Sequence, residues 1–137
     1  MFFMFEWKPQ FSVGIKSIDG QHQNLFAIAR ELYGAMSSGQ GKQAVGQILS
    51  RLAHYTAIHF AHEERLLQTS NYPGLAKHKL EHQRLTERVQ AFQADFEAGR
   101  VALSVQLLQF LRDWLEHHIQ TEDTAYAPHL KANAAIM

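Results

Sequence analysis

Four stretches of this chain place apolar residues at alternating steps of three and four, and short polar or Gly/Pro-bearing breaks separate them. That spacing keeps one face of a 3.6-residue helix apolar, so the chain is committed to packing helices side by side. The first stripe, His22, Leu25, Ala29, Leu32 and Met36, is widened by Phe26 and Tyr33 and predicts a helix over about 19–37 with Asp19 as N-cap. The second, over 42–69, is Val45, Leu49, Leu52, Thr56, His59, Glu63 and Leu66. The third, over 75–98, is Leu75, His78, His82, Leu85, Val89, Phe92 and Phe96, and Gly99 stops it. The fourth, over 104–122, is Leu107, Leu111, Trp114 and His118, supported by Phe110 and Leu115. The breaks are SSGQG at 37–41 and NYPG at 71–74.

Four long helices joined by short loops make an all-α, up-down-up-down four-helix bundle. Ahead of it, residues 1–18 form an arm in which Phe5, Trp7, Phe11, Val13 and Ile18 are irregularly spaced around Pro9. Those side chains are expected to pack on the outside of the bundle. Pro128 is expected to limit any further helix, leaving KANAAIM as a frayed tail or a short packing segment. A length of 137 residues fits one domain, 1–137, because two would each have a thin core.

Charge and composition remove several function classes. Lys plus Arg and Asp plus Glu both number 13, which gives no basic footprint for nucleic acid. The opening MFFMF is too short to span a membrane and lacks the flanks of a signal peptide, so a cytoplasmic location is expected. The absence of Cys excludes disulfides, thiolate zinc sites and cysteine-ligated Fe–S clusters. Nine His is the outlier.

Six polar residues occupy the apolar seams: His22, His59, Glu63, His78, His82 and His118. A histidine there costs free energy unless it is hydrogen-bonded or coordinated, and a buried carboxylate costs more. One such residue is ordinary core polarity; six require a common cause. In an up-down bundle the start of the first helix, the end of the second, the start of the third and the end of the fourth share one end of the molecule. All six fall there. A further carboxylate is expected from the fourth helix. Asp123 follows His118 by five residues, a rotation of about 140° on an α-helix, whereas Glu122 follows by four, about 40°. Asp123 needs a local change of helical path, or the helix end, to turn inward, and spacing alone leaves the two as alternatives. His54, His62, His117 and His129 fall off the seams and read as solvated or supporting. Glu64 either faces solvent or orients a ligand histidine through its free ring nitrogen. The runs Lys77–Lys79–Glu81 and Arg84–Glu87–Arg88 read as polar helix surface.

Five imidazoles and two carboxylates exceed the four donors of one zinc and suit two ions joined by bridging carboxylates. Mixed N/O ligation fits iron, with zinc, nickel and copper admissible on ligand type, whereas calcium and magnesium call for more oxygen. Here the chain resembles the hemerythrin family, in its single-domain bacterial type. The resemblance rests on Trp7, VGI at 13–15, IDGQH at 18–22, HFAHEE at 59–64, YPGLAKHKLEH at 72–82, and WLEHHIQTED at 114–123 with Tyr126 after it. It implies Asp123 rather than Glu122 as the last ligand. It also implies one iron on His78, His82 and His118, another on His22 and His59, and Glu63, Asp123 and an oxo or hydroxo group bridging the two. On that count one coordination position stays open, on the two-histidine iron, and the family uses it to bind O2.

The function this implies is reversible O2 binding at a non-haem di-iron site for storage, carriage or delivery, without enzymatic activity. An oxygen-consuming enzyme is the candidate recipient. The alternatives are O2 or redox sensing, for which the chain shows no attached signalling module, and a di-iron oxidase or peroxide-reducing enzyme. Trp114, Leu115, Ile119, Leu25, Phe26 and Phe60 are expected to line the O2 pocket and keep water out.

Overall fold

The periodic stripes become helices α1 (Lys16–Ser37), α2 (Lys42–Thr69) and α3 (Leu75–Glu97) in the computed structural model, which describes residues 5–39, 42–99 and 105–133. The fourth member starts as α4 (Val105–Arg112), continues as a π-helical stretch over Asp113–Asp123, and ends as α5 (Thr124–Ala132). The architecture is the expected four-helix bundle, with α1 packed on α2 and α2 on α3. The turn between α2 and α3 works because Asn71 adopts a left-handed conformation, φ 57°, which lets the Tyr72 N–H donate to the Leu67 carbonyl at 2.9 Å. Asparagine tolerates that conformation better than most residues, and the bond satisfies one of the carbonyls orphaned at the end of α2.

Leu25, Phe26, Ala29 and Leu32 of α1, Leu49 and Leu52 of α2, Val89 of α3, and Leu111, Leu115 and Ile119 of the fourth member close into one apolar cluster. Each fully buried Leu, Val, Ile or Phe side chain among them contributes about 1.5–3 kcal/mol. A second cluster of Val13, Ile15, Ile18, Leu67, Tyr126, Ala127 and Leu130 caps the other side of the histidine-rich end.

Three expectations need correction. Asp19 is not the N-cap: α1 starts at Lys16, and the Asp19 carboxylate in its first turn accepts from Ser12 Oγ at 2.6 Å and from the Val13 N–H at 2.8 Å. A carboxylate there still favours the helix through its dipole, while tying down the arm. The arm runs along the surface, with Lys8, Pro9, Gln10 and Ser12 exposed, but its aromatics reach further in than expected. Phe5 and Phe11 are buried in the main cluster, Phe11 stacks on Phe26 with ring centroids 5.3 Å apart, and a short 3₁₀ turn at Pro9–Phe11 turns the chain inward. Pro128 does not stop the last helix; it lies inside α5. Its missing N–H and ring clash cost about 3 kcal/mol, which is offset by burial of Tyr126, Ala127 and Leu130 on the face that meets Ile18 and Leu67. The expected helix start at 104, the Leu107 side chain, and residues 1–4 and 134–137 of the arm and tail lie outside the described residues.

Candidate metal centre

α1 supplies His22, α2 supplies His59 and Glu63, α3 supplies His78 and His82, and the π-helical stretch supplies His118 and Asp123. All seven are buried, with Glu63 and His22 fully so. Asp123 is inward and Glu122 half-buried, so the alternative left by the spacing resolves to Asp123. The reason is the coil. A π-helix closes its hydrogen bonds from i to i+5, as in the Thr124 N–H bonded to the Ile119 carbonyl, so residues five apart return to one face.

The carboxylates face both ways. Glu63 Oε1 lies 2.5 Å from His78 Nε2 and 3.1 Å from His82 Nε2, whereas its Oε2 lies 3.2 Å from His59 Nε2 and 3.6 Å from His22 Nε2. Asp123 divides in the same sense: Oδ1 is 3.1 Å from His78 Nε2 and 3.3 Å from His118 Nε2, and Oδ2 is 3.1 Å from His22 Nε2. Two donor groups result, His78, His82, His118 and Asp123 on one side and His22, His59, Glu63 and Asp123 on the other. Within each, the donor atoms lie within 4.8 Å of one another. Donors about 2.2 Å from a shared ion would lie within about 4.4 Å, so a small contraction suffices.

A direct sign that these atoms await cations is what they lack. His22 Nε2, His82 Nε2, His118 Nε2 and Asp123 Oδ1 are buried without a hydrogen-bond partner. Orphaned buried polar atoms are rare and costly in a folded protein. Converging on one point, they fit a metal. The electrostatics agree. Burial would lower the pKa of His22 and His78, but the adjacent carboxylates of Asp123 and Glu63 outweigh it and raise them from 6.5 to about 9 and about 10. Burial would raise Glu63, yet its four histidine partners hold it well below the ordinary carboxylate range. In the metal-free chain, protons on imidazoles neutralise carboxylates that cations would otherwise balance.

The model of the hemerythrin HHE cation binding domain matches residues 13–130. The chain belongs to the hemerythrin family. The bacteriohemerythrin of Stenotrophomonas maltophilia is 36% identical over 127 residues, covering 93% of this chain and 82% of that protein. A hemerythrin from Sipunculus nudus is 31% identical over 122 residues, covering 89% of this chain and 90% of that protein. A crystal structure of wild-type hemerythrin aligns with a TM-score of 0.86 at 31% identity, covering 91% of this chain and 96% of that one.

Around this hemerythrin centre stand residues that periodicity could not reveal. Gln21 Oε1 accepts from His59 Nδ1 at 2.7 Å, and Glu64 Oε2 accepts from His82 Nδ1 at 2.8 Å, so each ring is fixed with Nε2 turned to the centre. Glu64 thus takes the orienting role of its two alternatives. The Tyr126 hydroxyl donates to Glu63 Oε2 at 3.0 Å. Burial and the charges of Glu63 and Asp123 push its pKa well above 10.0. Glu81, read as polar surface, is half-buried, and its Oε2 lies 3.7 Å from His118 Nδ1. His54 and His117 are exposed; His62 contacts Ser17 and Arg65, and His129 donates to the Ser70 carbonyl at 2.7 Å. None of the four faces the centre.

The apolar side chains expected near the site are buried in the main cluster: Leu25, Phe26, Phe60, Trp114, Leu115 and Ile119. Phe60 stacks on His82, ring centroids 3.8 Å apart, and meets Trp114 edge-on at 5.9 Å. Trp114 is the outer layer of this wall: with Leu85 and Phe110 it lines a surface groove of about 360 Å³ that reaches His118. Among the described residues no helix is long and apolar enough to cross a membrane.

Proposed function

We propose that this chain is one hemerythrin-like domain that binds O2 reversibly at a non-haem di-iron centre, for storage, carriage or delivery, and is not itself an enzyme. The observation that carries the reading is the division of Glu63 and Asp123, each with one oxygen toward His78 and the other toward His22. Two carboxylates so arranged suit a pair of ions. His78, His82 and His118 would hold one iron, His22 and His59 the other, and Glu63 and Asp123 would bridge them together with an oxo or hydroxo group. The bound iron pair supplies the redox chemistry of reversible O2 binding.

The protein's part is positioning and exclusion. The two-histidine side has one imidazole fewer, so an ion there would have a coordination position left for an external ligand. Gln21 and Glu64 hold the tautomers that present Nε2 inward. Leu25, Phe26, Phe60, Trp114, Leu115 and Ile119 line the O2 pocket and keep water from the centre. Tyr126 is the one hydroxyl hydrogen-bonded to the carboxylates among the described residues, and its proton is directed at Glu63 Oε2.

Anaerobic reduction of the purified protein, followed by O2 addition and removal, tests this reading with absorbance recorded and iron counted per chain. Two irons per chain and repeated return to the reduced spectrum are expected. Steady O2 consumption with an added reductant would instead identify an oxidase.

A further inference from the structure

The polar groups behind the metal-facing atoms divide by side. Behind His82 and His118 on the three-histidine side they are carboxylates: Glu64 accepts from His82 Nδ1 at 2.8 Å, and the buried, unpartnered Oε2 of Glu81 lies 3.7 Å from His118 Nδ1. On the two-histidine side they are neutral. The Gln21 amide carbonyl accepts from His59 Nδ1 at 2.7 Å, and His22 Nδ1 has no partner. There the Tyr126 hydroxyl donates at 3.0 Å to Glu63 Oε2, the carboxylate oxygen that faces His22 and His59.

These contacts bias donor strength in one direction. A carboxylate accepting from an imidazole N–H pushes electron density into the ring and makes the opposite nitrogen a stronger donor; a neutral amide does so less. A phenol donating to a carboxylate oxygen withdraws density and makes that oxygen a weaker donor. The three-histidine side is thus strengthened and the two-histidine side weakened, beyond the difference in histidine count.

We propose that Glu64 and Tyr126 are positioning residues of opposite sign: Glu64 tightens the three-histidine metal position, and Tyr126 loosens the two-histidine one. This rests on the di-iron reading above. Its consequence is a division of labour, in which one ion ties α3 to the fourth member and, through Glu63, to α2, and the other is kept short of electron density, ready to take a ligand from solution.

The test uses full-length protein loaded with ferrous iron under anaerobic conditions and titrated with a ferrous chelator, the retained iron being counted per chain. The unsubstituted protein should release two irons in two separate steps. Glu64→Gln should weaken the tighter step by about 10- to 100-fold and leave the looser one in place. Tyr126→Phe keeps the ring and its packing, and should tighten the looser step by about 2- to 10-fold. Damage to the fold would weaken retention in both variants, so the gain in Tyr126→Phe is a signature that a merely structural role does not produce. Fewer than two irons in the unsubstituted chain would overturn the di-iron reading and this proposal with it. Two irons released in a single step, or a Tyr126→Phe variant that holds its looser iron no better, would overturn this proposal alone.

Discussion

Glu63→Ala is the substitution that bears most directly on the centre. Glu63 lies within 3.6 Å of four histidine nitrogens, two through each carboxylate oxygen. Removing it therefore takes one donor from each of two metal positions. Structural zinc bound by four ligands is held by about 10–16 kcal/mol, or about 2.5–4 kcal/mol per donor. On that scale Glu63→Ala costs each ion about 10²- to 10³-fold in affinity, about 5–8 kcal/mol for the pair. His118→Ala removes one donor from one position only, and should cost about half as much. Chelator competition with iron counted per chain separates the two: Glu63→Ala should lose both ions where His118→Ala still keeps about one. Water filling the vacated space would offer only weaker, neutral donors. If Glu63→Ala holds both irons at a chelator concentration that strips one from His118→Ala, the carboxylate does not join the two positions.

Asp123→Asn should likewise impair loading of both irons, whereas Glu122→Gln, beside it but not inward, should leave two irons per chain; the reverse order would refute the π-helical placement. Leu115→Ala, at a fully buried position, should retain iron at a stability cost of about 2–5 kcal/mol and oxidise faster in air, and an unchanged oxidation rate would remove Leu115 from the water-excluding wall. The metal-free chain should be pH-sensitive on the alkaline side. With His22 raised from 6.5 to about 9 and His78 to about 10, their stabilising contribution is complete below about pH 6.5 and is lost as pH rises through 9 to 10. A melting temperature of the metal-free chain that stays level or rises between pH 6.5 and 10 would contradict this. Iron loading should behave oppositely, becoming tighter over the same range, because the metal must displace those protons.

The residues that meet at the centre are legible in the sequence because polar side chains in an apolar seam stand out, and because bundle topology sends alternate helix ends to one place. His22, His59, Glu63, His78, His82 and His118 emerge that way. Asp123 does not, since α-helical spacing turns it away from His118, and nothing in the local composition announces a wider coil. Gln21 and Tyr126 escape periodicity for another reason: a side chain that orients a ligand through one hydrogen bond needs only proximity in three dimensions. The arm reads as peripheral because its aromatics are irregular; their burial follows from the shape of the gap beside Phe26 rather than from any repeat. Pro128 shows the converse, a local signal overruled by the burial of its neighbours.

The eleven-residue π stretch has a consequence for anyone who would rebuild this centre in another scaffold. Copying the spacing of His118 and Asp123 onto an idealised straight helix would splay the two donors apart, whatever else was kept, and a designed bundle would fail at its fourth strut. The wider coil is part of the ligand set. Grafting must carry the backbone pitch along with the side chains, or else shorten the interval between histidine and carboxylate by one residue to suit an ordinary helix.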